Sequence, residues 1–226
     1  MILSHRHRFI FLKTRKTGGT SVEIALSGVC GRDDIITPII EEGVRLEQAG
    51  RGAQNYLAPV ASYGSRDWLQ LVFRLKRKMR FHGHIPAGEV RSLLGGKVWD
   101  SYYKFTIERN PWDKVISLYH YRYRNKPGPS LSAFILSGEA GDASDFHRYT
   151  IDGTVAVDRV IRFENLGEEV SQIARELKLS GGLTLPEAKS GFRKDRRHYR
   201  EVLGEAEAAR ITEDFTAEIA AFGYKY

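Results

Sequence analysis

The stretch from Phe9 to Leu26, "FIFLKTRKTGGTSVEIAL", constrains the fold more than any other part of this 226-residue chain. Its first four residues are apolar and predict a buried strand, whereas apolar residues recur at helical spacing after the glycines. A strand, a glycine turn and a helix in this order commonly form a phosphate site, because the first amides of the helix point at the anion. The lysine, however, precedes the glycines, whereas the nucleoside-triphosphate loop G-x-x-x-x-G-K-[ST] has it after them.

The turn offers several kinds of ligand to an anion. Consecutive backbone amides from Thr17 to Ser21 meet the positive end of the helix dipole. The two glycines let the backbone approach closely, Lys16 adds a full charge, and Thr20 and Ser21 add hydroxyl donors. The alternative is a helix that follows a glycine turn and binds nothing.

A second unit of the same kind spans residues 102 to 123, "YYKFTIERNPWDKVISLYHYRY". Alternate residues of its strand are apolar, and Asn110-Pro111 predicts the N-cap and first turn of the helix that follows. Arg109 lies at the carboxyl end of the strand, where open α/β sheets bind ligands, and Ser117 lies two helical turns on. An arginine with a serine hydroxyl suits a phosphate dianion, although a surface ion pair and a helix serine would explain this unit taken alone.

The remaining pattern predicts one α/β domain over residues 1–226, with a central, mostly parallel sheet covered on both faces. We expect its strands near 8 to 13, 103 to 108 and 157 to 163. A last helix is predicted with Gly223 as its C-cap, and its apolar stripe consists of Ile211, Phe215, Ile219 and Phe222.

Residues 32 to 80 follow no clear period and are interpreted as an insertion of loops and short helices that contributes to the acceptor site. Within it, "WLQLVFRLKRKMR" (68 to 80) predicts an amphipathic helix with a basic end. Such a helix is either a solvated surface element or a cationic wall beside a substrate.

The segment "FHGHIP" places His82 and His84 two residues apart, so that both face one side of an extended chain. Two metal ligands would fit this spacing, but no further ligand motif accompanies them, and we expect no metal. One histidine could act as a general base near neutral pH. Two structural surface histidines are the third interpretation.

The formal charge of +7, from 35 basic and 28 acidic residues, favours an anionic ligand. The net charge is the only argument for a nucleic-acid partner, because the sequence has no aromatic or helix-turn-helix signature of nucleic-acid binding. A nucleic acid is therefore not expected as a partner.

The single cysteine excludes an intramolecular disulfide, and no apolar run is as long as a membrane span. No signal peptide precedes the first strand, so a cytoplasmic protein is expected. Oligomeric state has no readable signal.

The segments "RKTGGTSVE", "HGHIP", "FTIERNPWDKVISLYHY", "RFENL" and "KSGFRKDRRHYREVL…FGYKY" occur in the order found in sulfotransferases that act on carbohydrates. The chain resembles their heparan and chondroitin branch, as a bacterial-type soluble member without a membrane anchor. The resemblance implies a nucleoside-monophosphate-kinase-like fold and 3′-phosphoadenosine 5′-phosphosulfate (PAPS) as cofactor, with 3′,5′-ADP as its product. It also implies an acceptor that carries a hydroxyl, either a glycan or another hydroxyl-bearing molecule. Together with the positive net charge, it leads us to expect an anionic acceptor, with a neutral small metabolite or lipid as the alternative.

The resemblance assigns roles by position. Lysine before the glycines belongs to the loop that binds the 5′-phosphosulfate, which makes Lys16 catalytic, and His84 and His82 match histidines that serve as catalytic base. Arg109 and Ser117 match the 3′-phosphate site. The implied cofactor-binding residues are Arg15, Lys16, Thr17, Gly18, Gly19, Thr20, Ser21, Arg109, Ser117, Ser190, Arg197 and Tyr199. A small-molecule kinase with a variant loop and a nucleotide-binding module without catalysis remain the alternatives.

Overall fold

The computed structural model describes residues 1–40, 42–47, 50–179, 181–186 and 197–226. The strands are Ile2–Ser4 (β1), Phe9–Leu12 (β2), Ile35–Ile36 (β3), Tyr103–Glu108 (β4), Thr150–Ile151 (β5), Thr154–Val155 (β6) and Arg159–Arg162 (β7). The first six helices are Gly19–Ser27 (α1), Glu42–Glu47 (α2), Ser65–Arg74 (α3), Ala87–Leu94 (α4), Gly96–Ser101 (α5) and Pro111–Arg122 (α6). The others are Leu131–Leu136 (α7), Phe146–Tyr149 (α8), Leu166–Glu176 (α9), Tyr199–Val202 (α10), Glu205–Asp214 (α11) and Thr216–Phe222 (α12). Among the described residues, no helix combines the length and apolar character that a membrane crossing requires.

The main sheet has five strands in the order β3-β1-β2-β4-β7, while β5 and β6 form a separate hairpin. The pairs β2–β4 and β4–β7 are parallel, and β1 is antiparallel to both β2 and β3. Every strand of the sheet except β1 therefore runs in the same direction. The α/β class is confirmed, and the three expected strands form the parallel centre of a mixed sheet.

Both faces of the central strand β2 are buried, as expected for a parallel strand covered by helices. On one face, Phe11 packs on Phe105 with ring centroids 5.2 Å apart, beneath apolar residues of α1 and α9. On the other face, Ile10 and Leu12 pack with Phe81 and residues of α4, α5 and α8. A third cluster joins α6, α7 and α11 and includes the buried Trp112.

Three elements differ from the sequence-based expectation. The predicted last helix is two helices, α11 and α12, which are separated at Phe215, although Gly223 ends the second in the expected left-handed conformation with φ 63°. The amphipathic helix α3 ends at Arg74, and Leu75 takes a positive φ of 50°. The segment after residue 32 is not all loop and helix, because β3 pairs with β1 at the edge of the main sheet.

Candidate functional site

A cavity of about 610 Å³ opens at the carboxyl ends of the parallel strands β2 and β4. This volume lies within the range of small-molecule and cofactor sites. Its wall is drawn from segments 13–21, 38–40, 83–84, 109–121 and 163–166. The cavity therefore lies where the order of an open α/β sheet favours ligand binding.

The glycine turn forms one end of the cavity. Gly18 is the N-cap of α1 and has a φ of 73°, which is a left-handed conformation that favours glycine. A Cβ atom at Gly18 would also lie 2.9 Å from Leu166 Cδ2, so a larger residue would require the Leu166 side chain to shift. Ser21 donates its amide to the Gly18 carbonyl at 3.0 Å, while no acceptor within the described ranges pairs with the amides of Gly19 and Thr20. These helix-start amides are the donors that an anion can accept from.

Most predicted loop residues line the cavity, and one does not. The lining residues are Arg15, Lys16, Gly18, Gly19, Thr20 and Ser21. Thr17 is buried, and its hydroxyl lies 2.9 Å from the Thr14 hydroxyl, so its side chain holds the loop together. The ammonium of Lys16 lies 4.1 Å from the centroid of the Tyr121 ring, which is also in the cavity wall.

Arg109 and Ser117 both line the same cavity as the loop. The N-cap of α6 forms as expected, because the Asn110 side chain accepts the amides of Trp112 and Asp113. Arg109 donates through Nη1 to the Lys16 carbonyl at 2.9 Å and through Nε to Asp113 at 2.8 Å. The guanidinium of Arg109 thus connects the second strand-turn-helix unit to the glycine turn.

His84 lines the cavity, and its ring is oriented by a backbone contact. Nδ1 lies 3.0 Å from the carbonyl oxygen of Lys13. Because a carbonyl can only accept, Nδ1 carries the proton and Nε2 keeps the lone pair that can accept one. Burial, reinforced by the charge of Lys13, lowers the pKa of His84 to about 4. The imidazole is therefore neutral at pH 7.

His82 lies outside the cavity wall. Its side chain is 44% exposed, and its Nε2 lies 3.9 Å from a carboxylate oxygen of Glu89. The two histidines therefore differ in position, because His84 lines the cavity and His82 does not. Their spacing in the sequence did not reveal this difference. In the part of the chain that the structure describes, no cluster of three or more His, Cys, Asp or Glu residues could hold a metal ion.

Sequence reasoning missed Asp145, which joins the loop to the histidine segment. Its buried carboxylate accepts from Arg15 Nε at 2.8 Å and Arg148 Nε at 2.7 Å, and it lies 3.7 Å from the ammonium of Lys114. Arg148 in turn donates to the backbone carbonyl of His84. Burial alone would raise the pKa of Asp145, but Lys114 and Arg15 outweigh it and hold that pKa below its ordinary value. No sequence motif marks this residue.

The predicted contacts from the tail do not reach the cavity wall in the described part of the chain. Tyr199 stacks on Trp112 with ring centroids 6.0 Å apart, and its hydroxyl lies 3.4 Å from the side-chain nitrogen of Asn110. Arg197 is exposed and does not line the cavity. Ser190 lies outside the described residues. Phe163 and Tyr121 are the aromatic wall residues that were not predicted.

No protein-family model matches the sequence. The chain is 35% identical over 100 residues to an uncharacterized protein of Archaeoglobus fulgidus, in a match that covers 42% of this chain and 83% of that protein. The chain belongs to the same family as that archaeal protein. A sulfotransferase from Alicyclobacillus acidocaldarius, known from a crystal structure, has 18% sequence identity and a TM-score of 0.44, with 97% of this chain and 96% of that chain covered. A likeness at this level carries no functional conclusion, which has to come from the residues of the cavity.

Proposed function

We propose that the protein is a sulfotransferase that transfers a sulfuryl group from PAPS to a hydroxyl of a carbohydrate or glycan acceptor. The observation that carries the proposal is that one cavity is lined by the glycine turn before α1, by Arg109 with Ser117, and by the neutral His84. An anion site, a second cationic site and a base are the three parts that this reaction needs. The sequence resemblance supplies the identity of the transferred group.

The donor set of the cavity fits a nucleotide with phosphates at two positions. The amides of Gly19 and Thr20, together with Lys16, would hold the 5′-phosphosulfate at the start of α1. Arg109 and Ser117 would hold the 3′-phosphate, since guanidinium and hydroxyl groups donate well to a dianion. When bound, PAPS supplies an activated sulfuryl group with a nucleotide phosphate as leaving group.

The chain's own groups then have separate tasks. His84 Nε2 accepts the proton of the acceptor hydroxyl, while its Nδ1–H stays bonded to the Lys13 carbonyl and fixes the ring. Lys16 and the amides at the start of α1 stabilise the charge that develops on the leaving phosphate oxygen. A pKa of about 4 is low for a base at pH 7. An anion beside His84 would raise it, because an opposite charge favours the protonated ring.

Residues 38–40 of the insertion form part of the cavity wall, and Ile40 is 84% exposed at its edge, so the insertion would contribute to the acceptor site. The acceptor itself is proposed to be anionic because of the positive charge of the chain. A net charge of +7 would raise the local concentration of an anionic chain and weaken its binding as salt increases. A screen of anionic glycans, neutral glycans and small alcohols with labelled PAPS tests this part separately from the reaction itself.

The cofactor assignment is tested by calorimetric titration with 3′,5′-ADP, 5′-AMP and ATP. We expect the protein to bind 3′,5′-ADP more tightly than the other two nucleotides. Ser117→Ala and Arg109→Ala should each lower the affinity for 3′,5′-ADP far more than the affinity for 5′-AMP. Loss of one charge-assisted hydrogen bond corresponds to about a 10- to 100-fold change in affinity. Arg122→Ala is the control, because Arg122 lies on α6 together with Ser117 but pairs with Glu139 and Asp142 instead of lining the cavity. A preference for ATP would favour a kinase, and nucleotide binding without turnover would favour a binding module.

A further inference from the structure

Helix α3 carries an apolar face that the rest of the described chain leaves exposed. None of its ten residues is buried. Leu69, Val72 and Phe73 follow the i, i+3, i+4 spacing of one helical face and are 57%, 64% and 78% exposed, with Trp68 at 46% beside them. Exposed apolar patches rimmed by polar residues mark interaction sites on soluble domains.

The same segment concentrates the positive charge of the chain. Residues 65–80 hold six basic residues and one acidic residue, a difference of 6 − 1 = +5, compared with +7 for all 226 residues. The basic residues are Arg66, Arg74, Lys76, Arg77, Lys78 and Arg80. Leu75, within this run, is 87% exposed. Lys78 pairs with Asp67 at 2.9 Å, and Arg80 donates to the Leu93 carbonyl at 2.8 Å. The apolar face and the basic run adjoin in one stretch of chain, defined here as the α3 segment, residues 65–80.

An apolar face beside a basic run limits the kinds of partner that this segment can bind. A second copy of the chain would bring two segments of +5 together, which costs free energy by like-charge repulsion. A nucleic acid or a free polyanion would satisfy the charges but leave the exposed leucine and aromatic side chains in water. A bilayer with anionic head groups satisfies both, since apolar residues enter the boundary of the acyl region while basic residues face the phosphates.

We propose that the α3 segment docks the protein on an anionic lipid surface, with the helix lying in the plane of the interface. Leu69, Val72 and Phe73 enter the boundary between head groups and acyl chains, and the basic residues from Arg74 to Arg80 contact the head groups. The protein lies on the membrane in this arrangement and does not cross it. The inference does not depend on the reaction at the cavity.

Vesicle sedimentation tests the proposal with the full chain. We expect the protein to sediment with vesicles of equal parts phosphatidylcholine and phosphatidylserine, and to stay in solution with phosphatidylcholine alone. Lys76→Glu or Arg77→Glu should weaken binding by at least about five-fold, and Phe73→Ser by about ten-fold or more. Arg32→Glu and Leu136→Ser are matched controls on other exposed surfaces, where the Arg32 side chain is 91% exposed and Leu136 is 48% exposed.

Tryptophan fluorescence reports where the helix lies. Of the three tryptophans, Trp99 and Trp112 are buried at 4% and 2% exposure, so a blue shift on vesicle binding must come from Trp68. Trp68→Phe should abolish the shift while sedimentation persists. The proposal is overturned if anionic vesicles do not bind, if Phe73→Ser binds like the wild type, or if Trp68 emission stays unchanged in the bound state. The last two outcomes would indicate a purely electrostatic surface for a soluble polyanion.

Discussion

Replacing Asp145 by asparagine removes one negative charge from a buried cluster and leaves its shape nearly intact. In the folded protein this carboxylate lies within ion-pair distance of Arg15, Arg148 and Lys114. Of the three, Lys114 retains a second partner, because its ammonium lies 2.7 Å from Glu108. The substitution therefore leaves the two arginines as the cations that lose their main carboxylate.

Breaking a fully buried ion pair by removing one partner costs about 3–5 kcal/mol. The expected loss here is smaller, about 2–3 kcal/mol of unfolding free energy, since the Arg15 and Arg148 side chains are 29% and 19% exposed and keep some hydration. Asp142→Asn is the matched control. Its carboxylate is 67% exposed and pairs with Arg122, so its removal should cost no more than about 0.5 kcal/mol.

The pH dependence of unfolding distinguishes the stability that comes from the charge of Asp145 from the stability that comes from the packing of its side chain. Because its pKa is lowered in the folded state, its stabilising contribution is fully present above the unfolded pKa of about 3.9 and is lost as pH falls through the folded value. Urea unfolding should therefore show the same gap between wild type and Asp145→Asn at about pH 7 and about pH 5, and a shrinking gap below about pH 4. A variant as stable as Asp142→Asn, or a gap that closes between pH 7 and pH 5, would refute the reasoning.

Further substitutions address the cavity directly. His84→Asn keeps a side-chain N–H for the backbone carbonyl but removes the base, so turnover with labelled PAPS should fall about 10²- to 10⁴-fold while calorimetry finds little change for 3′,5′-ADP; undiminished turnover would exclude the base. Lys16→Ala should abolish transfer with a smaller effect on 3′,5′-ADP affinity, because its charge matters most as the leaving phosphate gains charge; equal losses in rate and affinity would argue against that role. Gly18→Ala should destabilise the fold by about 1–3 kcal/mol in urea unfolding, since the left-handed φ and the contact with Leu166 both oppose a Cβ atom. Gly43→Ala, where nothing lies within 4 Å of the added Cβ, is its control and should not destabilise.

The centre of the sheet could be predicted from the sequence because each of its strands carries a local signal. Apolar runs and the Asn110 cap defined β2, β4 and the start of α6 within a few residues. The strands β1 and β3, on one side of the sheet, contain three and two residues and have no period to detect. They are strands only because they pair with each other and with β2, which is a long-range contact.

The candidate site likewise contains residues that the sequence predicted and residues that it could not predict. The glycine turn was predicted as the 5′-phosphosulfate site and Arg109 with Ser117 as the 3′-phosphate site, and all of these residues except Thr17 line one cavity. Asp145 could not be predicted, because its partners lie 130 residues before it and 3 residues after it, and only folding brings them together. Sequence spacing likewise left His82 and His84 equivalent, whereas the hydrogen bond to Lys13 orients only one of them.

The wall of the cavity is formed by residues that lie far apart in the sequence, and this helps to identify its ligand. Segments that run from residue 13 to residue 166 meet only in the folded chain, so a ligand of this cavity binds the native state and not the unfolded one. At a concentration 100 times its Kd, such a ligand adds about 2.7 kcal/mol of stability. For a chain of this length, that corresponds to a rise in melting temperature of about 5–10 °C. A thermal melt against a panel of nucleotides and glycans would therefore rank candidate ligands without any assumption about the reaction they undergo.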